Sequence, residues 1–410
     1  MSTRDPKPIF RVTAISFALA AAALLGACDT LLRVGQPDRF IDPHVSCADG
    51  PCVCVGGFDD CDGDEDNGCE TDLSSSASHC GACGSSCDNG TCSGGVCTCA
   101  EGFVDCDGNA SNGCEARLDI DLQNCGACDH DCGGSVCSAG VCLPVTFGGL
   151  DAVSSIATGN GDLYVARCGD PAVGSIDASG GSLQGIGMAT GCASMIAVSD
   201  DTVVWATTDA VLSASLDFPA SATELTTMTS PVRFLAASPT HIYWWSSDTT
   251  TSALVRVPIA GGAVETVAET TVSALAVGAE LAYWSDAKGI HAVRFDGLLV
   301  SDLSTMTARA LSVEGDTLFA ADAEGIHAIT SNGTTTLLEP TEGAEAIAAD
   351  TAHVYWVDTT DNTVRRIRRD ATEMTILAKG EPFSTVVAPI ALDDDAVYWI
   401  ADQKVRRVAK

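Results

Sequence analysis

The chain has 410 residues, a formal net charge of −34 and a pI near 4.2. An acidic surface without a basic stripe excludes nucleic acid as a partner, because no row of cations is present to displace counterions from phosphates. A hydrophobic share of 46% with only 5% aromatic residues and 40 glycines fits small-residue β structure and excludes a disordered acidic tail.

Arg4, Lys7 and Arg11 precede an apolar run from Val12 to Leu25. Positive charge followed by a run too short for a comfortable membrane span is the order of an export signal. The run closes on Leu25-Gly26-Ala27-Cys28, which resembles the cleavage box of bacterial lipoproteins. That resemblance implies that residues 1–27 are removed and that Cys28 becomes the acylated N-terminus. It places the mature chain in the cell envelope, held to a membrane on its periplasmic or outer-surface face. Buried acyl methylenes contribute about 0.8 kcal/mol each, so several chains anchor a protein without a spanning helix. Asp29 resembles the inner-membrane retention signal of enteric lipoproteins, and the choice of membrane stays open. Residues 28–46 read as a linker.

Eighteen of the 21 cysteines lie between Cys47 and Cys142, and setting Cys28 aside leaves an even 20. Cys52, Cys54, Cys61, Cys69, Cys80, Cys83, Cys87 and Cys92 recur 45 residues later as Cys97, Cys99, Cys106, Cys114, Cys125, Cys128, Cys132 and Cys137. Cys47 and Cys142 continue the register at the two ends, so residues 47–143 form a tandem repeat region. Each copy is short, glycine-rich and poor in large apolar residues, so it needs covalent help to offset chain entropy. Disulfides closing loops of roughly 15 residues contribute around 3 kcal/mol each, and an exported chain is where they persist. The Cys-x-x-Cys pairs at Cys80/Cys83 and Cys125/Cys128 also have zinc and redox readings. An oxidising compartment opposes reduced thiolates around zinc, and no strand-to-helix context surrounds either pair. The run Cys54-Val55-Gly56-Gly57-Phe58 before Cys61 resembles the end of an EGF-like module. Which cysteine joins which stays open.

Each copy also carries an acidic loop: Asp60, Asp62, Asp64, Asp66 and Glu70 in the first, Asp105, Asp107, Asn109, Ser111 and Glu115 in the second. Alternating oxygen ligands suit calcium. The loops resemble those of EF-hand and thrombospondin-type repeats, but lack glycine at the sixth position and bring the last acid one residue early. The alternative is an exposed acidic turn.

Residues 144–410 carry a different repeat, of roughly 40 residues. An anchor recurs at Tyr164, Val204, Tyr243, Tyr283, Phe319, Tyr355 and Tyr398, with an apolar partner eight residues earlier at Ile156, Ile196, Leu235, Leu275, Leu311, Ile347 and Ile390. That interval suits two short strands joined by a tight turn. A third apolar stretch and a fourth segment rich in threonine or valine follow, the pattern of a β-propeller blade. An all-β fold with a propeller of seven blades is therefore expected, six if the weak copies at Val204 and Phe319 do not form blades. Tyr283-Trp284-Ser285-Asp286 and Tyr355-Trp356-Val357-Asp358 resemble the YWTD repeat of lipoprotein-receptor propellers and, less specifically, the TolB-like group. The last repeat stops at Val405–Val408, one strand short, and Val145-Thr146-Phe147 is placed to complete it. Cys168 and Cys192 fall in loops that open on one face of a propeller, so a disulfide between them is expected. The basic stretch Arg365-Arg366-Ile367-Arg368-Arg369 alternates across an expected strand and reads as a solvated edge.

His291 and His327 sit at equivalent positions on third strands, away from the channel, and read as structural. No nucleophile elbow, metal-binding histidine pair or phosphate loop is present in the sequence. The expectation is a non-catalytic protein without a cofactor, calcium aside, anchored by its lipid. Its propeller binds a protein, peptide or glycan, and the cysteine-rich repeats serve as stalk. The alternative is a propeller enzyme of lyase or lactonase type using a channel metal. The arrangement is similar to the cysteine-rich lipoproteins of predatory soil bacteria. Replacing the acylated residue, Cys28→Ser, is expected to move the protein from the detergent phase to the aqueous phase on partitioning.

Overall fold

The structure is a computed structural model that describes residues 43–46, 53–64, 68–109, 111–177, 180–187, 191–247, 252–383 and 390–410. Cys28, Cys47, Cys52, Asp66 and the export signal lie outside the described residues. All regular structure among the described residues is strand, and no helix is long and apolar enough to cross a membrane. The chain divides into two compact units, one running to Gly84 together with Cys92–Val96, the other made of Ser85–Thr91 and Cys97–Lys410.

The first unit holds most of the first cysteine-rich copy. Two short hairpins, Val45–Ser46 on Val53–Cys54 and Phe58–Asp59 on Thr71–Asp72, are closed by Cys54–Cys69, Cys61–Cys83 and Cys80–Cys92. The second copy repeats these bridges at Cys99–Cys114, Cys106–Cys128 and Cys125–Cys137. Cys87–Cys97 and Cys132–Cys142 are likewise equivalent. Both members of each Cys-x-x-Cys pair therefore bond elsewhere, Cys80 to Cys92 and Cys83 to Cys61. No free thiolate pair remains there for zinc or for redox exchange.

Seven antiparallel sheets follow, each with four strands paired side by side, in chain order in the first six. Their inner strands are Val153–Gly159, Met195–Ser199, Phe234–Ala237, Ala274–Val277, Ala310–Glu314, Ala344–Ala349 and Ala391–Leu392, which define blades 1 to 7. Each inner strand touches the next, and the seventh touches the first, so the ring closes. The eight-residue interval is a register: Ile196 faces Trp205, Leu235 faces Trp244, Leu275 faces Trp284 and Ile347 faces Trp356, each the residue after the anchor. Val204 and Phe319 anchor full blades. Blade 7 takes its outermost strand, Val145–Thr146, from the other end of the propeller sequence, pairing Val145 with Arg407 and Thr146 with Arg406. Blade 1 carries an extra two-residue strand, Gly191–Cys192, which lies on the second strand beside the Cys168–Cys192 disulfide.

Two features differ from the reading of the sequence. The basic stretch 365–369 belongs to the third strand of blade 6, Thr363–Arg368, with Thr375–Lys379 paired outside it. It is not an edge, and Arg365 and Arg366 are only half exposed. The second cysteine-rich copy also does not stand clear of the propeller. Cys125, Cys132, Cys137 and Cys142 share one apolar cluster with Tyr355, Leu377, Trp399 and Val408 of blades 6 and 7. His130 is buried in this copy, its Nδ1 donating to the Cys125 carbonyl at 2.5 Å, and burial pushes its pKa down.

The C-terminal residue is tied across blades. Lys410 Nζ donates to Asp350 Oδ2 at 2.8 Å, and Asp350 also accepts from the His353 and Ala352 N–H groups and the Tyr355 hydroxyl. Burial works against ionisation, yet these donors hold the Asp350 carboxyl down at about 2. A carboxyl depressed in the folded state adds stability above the ordinary aspartate pKa of about 3.9 and loses it as pH falls. Asp350→Asn is therefore expected to lower the melting temperature at neutral pH, with the gap from the parent closing between pH ~4 and ~2. An unchanged gap across that window would count against the tie.

Candidate functional site

In this ring the turns between inner and second strands open on one face, and the loops after second and fourth strands open on the other. Three aspartates recur on the second face. Asp286 and Asp358 end the second strands of blades 4 and 6, and Asp322 follows that of blade 5. Asp286 Oδ1 accepts the Lys288 N–H at 2.7 Å, Asp322 Oδ1 the Glu324 and Gly325 N–H groups at 2.7 and 3.0 Å, and Asp358 Oδ1 the Thr360 N–H at 3.0 Å. An aspartate that hydrogen-bonds the backbone two residues on favours this tight turn. The free oxygens of Asp286 and Asp358 accept hydroxyls from the preceding interblade loops, Thr270 and Thr341, each at 2.7 Å. Each of these two carboxylates thus fastens one blade to the connection from its neighbour.

Both histidines are buried beside these turns. His291 Nε2 lies 3.0 Å from Asp286 Oδ1 and its Nδ1 2.8 Å from Asp302 Oδ1, while His327 Nε2 lies 3.0 Å from Asp322 Oδ1. Burial opposes ionisation of Asp286 and Asp322, but the hydrogen bonds hold both carboxyls below their ordinary range. Blade 7 reaches a similar arrangement by another route. Its second strand ends in Ala401, and Glu381 from the preceding loop supplies the carboxylate, accepting the Trp399 indole N–H at 3.0 Å with Arg406 at 3.8 Å. Burial pushes the Glu381 carboxyl up.

Nearer the channel, equivalent positions at the start of the inner strands or just before it hold Ser154, Ser194, Arg233, Ser273, Arg309 and Glu345. The serine hydroxyls donate to backbone carbonyls, Ser154 to Ala193 at 2.6 Å and Ser273 to Ala308 at 2.8 Å. Arg309 pairs with Glu345 at 2.8 Å and also donates to the Asp322 carbonyl, linking blade 5 to blade 6. An open cleft of about 650 Å³ lies between blades 5 and 6, lined by Glu324, Thr341, Glu342, Asp358, Asp361 and Arg365. Arg365 is held by Asp361 and by the Thr363 hydroxyl. A smaller hollow of about 470 Å³, around Asn160 and Asp394, sits at the turns of the opposite face.

Each acidic loop brings together three of the five residues that the spacing singles out. Oxygens of Asp60, Asp62 and Glu70 lie within 4.8 Å of one another, as do those of Asp105, Asp107 and Glu115. Glu70 and Glu115 fold back onto the backbone N–H groups of Cys61 and Cys106, at 3.1 and 2.7 Å. The backbone N–H groups of Asp64 and Asn109 donate to Asp62 and Asp107 of the same loops, at 2.9 and 2.8 Å.

The cleft and the Arg309–Glu345 pair are not marked by any motif. The turn carboxylates had a signal in the repeated frame Asp286-Ala287-Lys288-Gly289-Ile290-His291-Ala292 and Asp322-Ala323-Glu324-Gly325-Ile326-His327-Ala328. Its glycine is required: at Gly325, φ is +156° and a Cβ would stand 2.1 Å from the Glu339 carbonyl oxygen.

No protein-family model matches the chain, and no curated protein does. Solved structures match the propeller. Virginiamycin B lyase from Staphylococcus aureus is 12% identical with a TM-score of 0.52, over 65% of this chain and 98% of that one. The β-propeller domain of Myceliophteria thermophila Cps50 is 10% identical with a TM-score of 0.52, over 65% and 100%. The extracellular domain of a putative one-component system from B. thetaiotaomicron is 12% identical with a TM-score of 0.50, over 64% and 39%. At these identities the likeness shows a propeller fold and no shared activity.

Proposed function

We propose that this chain is a non-catalytic binding protein of the cell envelope, anchored through an acylated Cys28, whose propeller presents the cleft between blades 5 and 6 to a protein, peptide or glycan. The observation that carries this reading is the cleft itself: an open concavity lined by carboxylates, hydroxyls and one guanidinium. Such convergent polar groups on rigid strands fix the orientation of a polar ligand. The channel-side positions support binding over lyase or lactonase chemistry, since their serines are spent on backbone carbonyls and Arg309 is neutralised by Glu345. The first cysteine-rich copy serves as spacer, while the second stays with the propeller.

A photo-crosslinking residue at Glu342, in the cleft, is expected to capture a discrete partner in cells, and one at Asp394, on the opposite face, none. Asp361→Ala removes the group that holds Arg365 and is expected to weaken that partner's binding about tenfold, or ~1.4 kcal/mol. Equal capture from both faces would remove the cleft from the proposal.

The same reading assigns calcium to the two carboxylate trios, because three like charges within 4.8 Å repel unless a cation screens them. Millimolar calcium is expected to raise the melting temperature of the parent and to have less effect on a Glu70→Gln, Glu115→Gln double variant. No shift in the parent would end the calcium assignment.

A further inference from the structure

We propose that Asp322, Glu324 and His327 hold a divalent transition-metal ion at the wall of the blade 5–6 cleft, while the parallel group of blade 4 does not. The two frames differ at the position where blade 4 has Lys288 and blade 5 has Glu324. In blade 4 the donors are spent or repelled. Thr270 caps the second oxygen of Asp286, Asp302 occupies His291 Nδ1, and the third position is a cation.

Blade 5 leaves the same donors available. The interblade loop offers Met306 near the place of Thr270, and Asp322 Oδ2 accepts no hydrogen bond among the described residues. Leu337 faces His327 across the sheet where Asp302 faces His291. Glu324 adds a second carboxylate, and one ligand atom from each of the three residues lies within 4.8 Å of the others. Gly325 fixes the turn that carries Glu324, since no side chain fits against the Glu339 carbonyl.

One imidazole with two carboxylates is a donor set for zinc, manganese, iron(II) or cobalt(II), whereas calcium prefers oxygen alone. The ion takes the Nε2 lone pair of the imidazole tautomer that carries its proton on Nδ1. Glu324 lines the cleft, so the remaining coordination positions open onto it and take water or an oxygen atom of whatever occupies the cleft. The site does not depend on the binding reading above, because the metal alone probes it.

The test is cobalt(II) titration of the full chain, stripped with chelator and supplied with excess calcium to occupy oxygen-only sites. The parent is expected to bind one cobalt ion with d–d absorption bands that Glu324→Lys loses, its affinity falling by at least about tenfold. Glu324→Lys copies the folded frame of blade 4, so its melting temperature is expected to stay at the parent value. His327→Asn is expected to lose the same bands. Equal cobalt uptake and equal spectra in the parent and Glu324→Lys overturn the proposal.

Discussion

A blade inside a ring has no face turned to water, and the rest of this structure depends on filling both faces of each second strand. Tyr355 packs into a cluster with Trp399 of the next blade, Phe319 with Trp356, Tyr243 with Trp284 and Tyr164 with Trp205. The anchor points forward around the ring and the residue after it points back. The indole N–H groups of Trp205, Trp244, Trp284 and Trp356 have no hydrogen-bond partner among the described residues. Each such group costs about 1–3 kcal/mol, against roughly 3–5 kcal/mol for truncating a buried tryptophan. Volume wins that comparison. Trp399 avoids the cost through Glu381, at the expense of a buried carboxyl.

The blades were legible because their interval is a strand register. A residue eight before the anchor pairs with the one after it, and a pleat that alternates faces cannot hide such spacing. The closing strand was legible for a related reason, since a repeat that ends one strand short leaves an edge to cover. The docking of the second cysteine-rich copy was not, because half-cystines carry apolar burial without an apolar pattern: Cys125 and Cys142 are 0% exposed and act as core residues. The stretch at 365–369 misled because alternation marks any strand with one wet face, whether or not another strand lies outside it. The site was only partly legible. The two histidines stood out as a repeat, whereas the cleft is made by loops of two different blades.

In a chain so acidic, many of the cations act as internal fastenings. Arg256 reaches Glu265 and the carbonyls of Arg294 and Phe295, Arg309 reaches Glu345, and Lys410 reaches Asp350. Arg256, Arg309 and Lys410 each contact a neighbouring blade. Because these groups are half or fully buried, salt screens them less than surface pairs. The acidic exterior then keeps copies apart without loosening the ring.

Cys142, bonded to Cys132, stands three residues before the two-residue strand Val145–Thr146 that completes blade 7. Tension applied from the N-terminal side therefore reaches the bridged second copy before it reaches that strand. Two residues of pairing would peel one hydrogen bond at a time under load. A knot of disulfides seated on blades 6 and 7 must instead be lifted as a block, so the short closing strand is shielded from a pull on the N-terminal side.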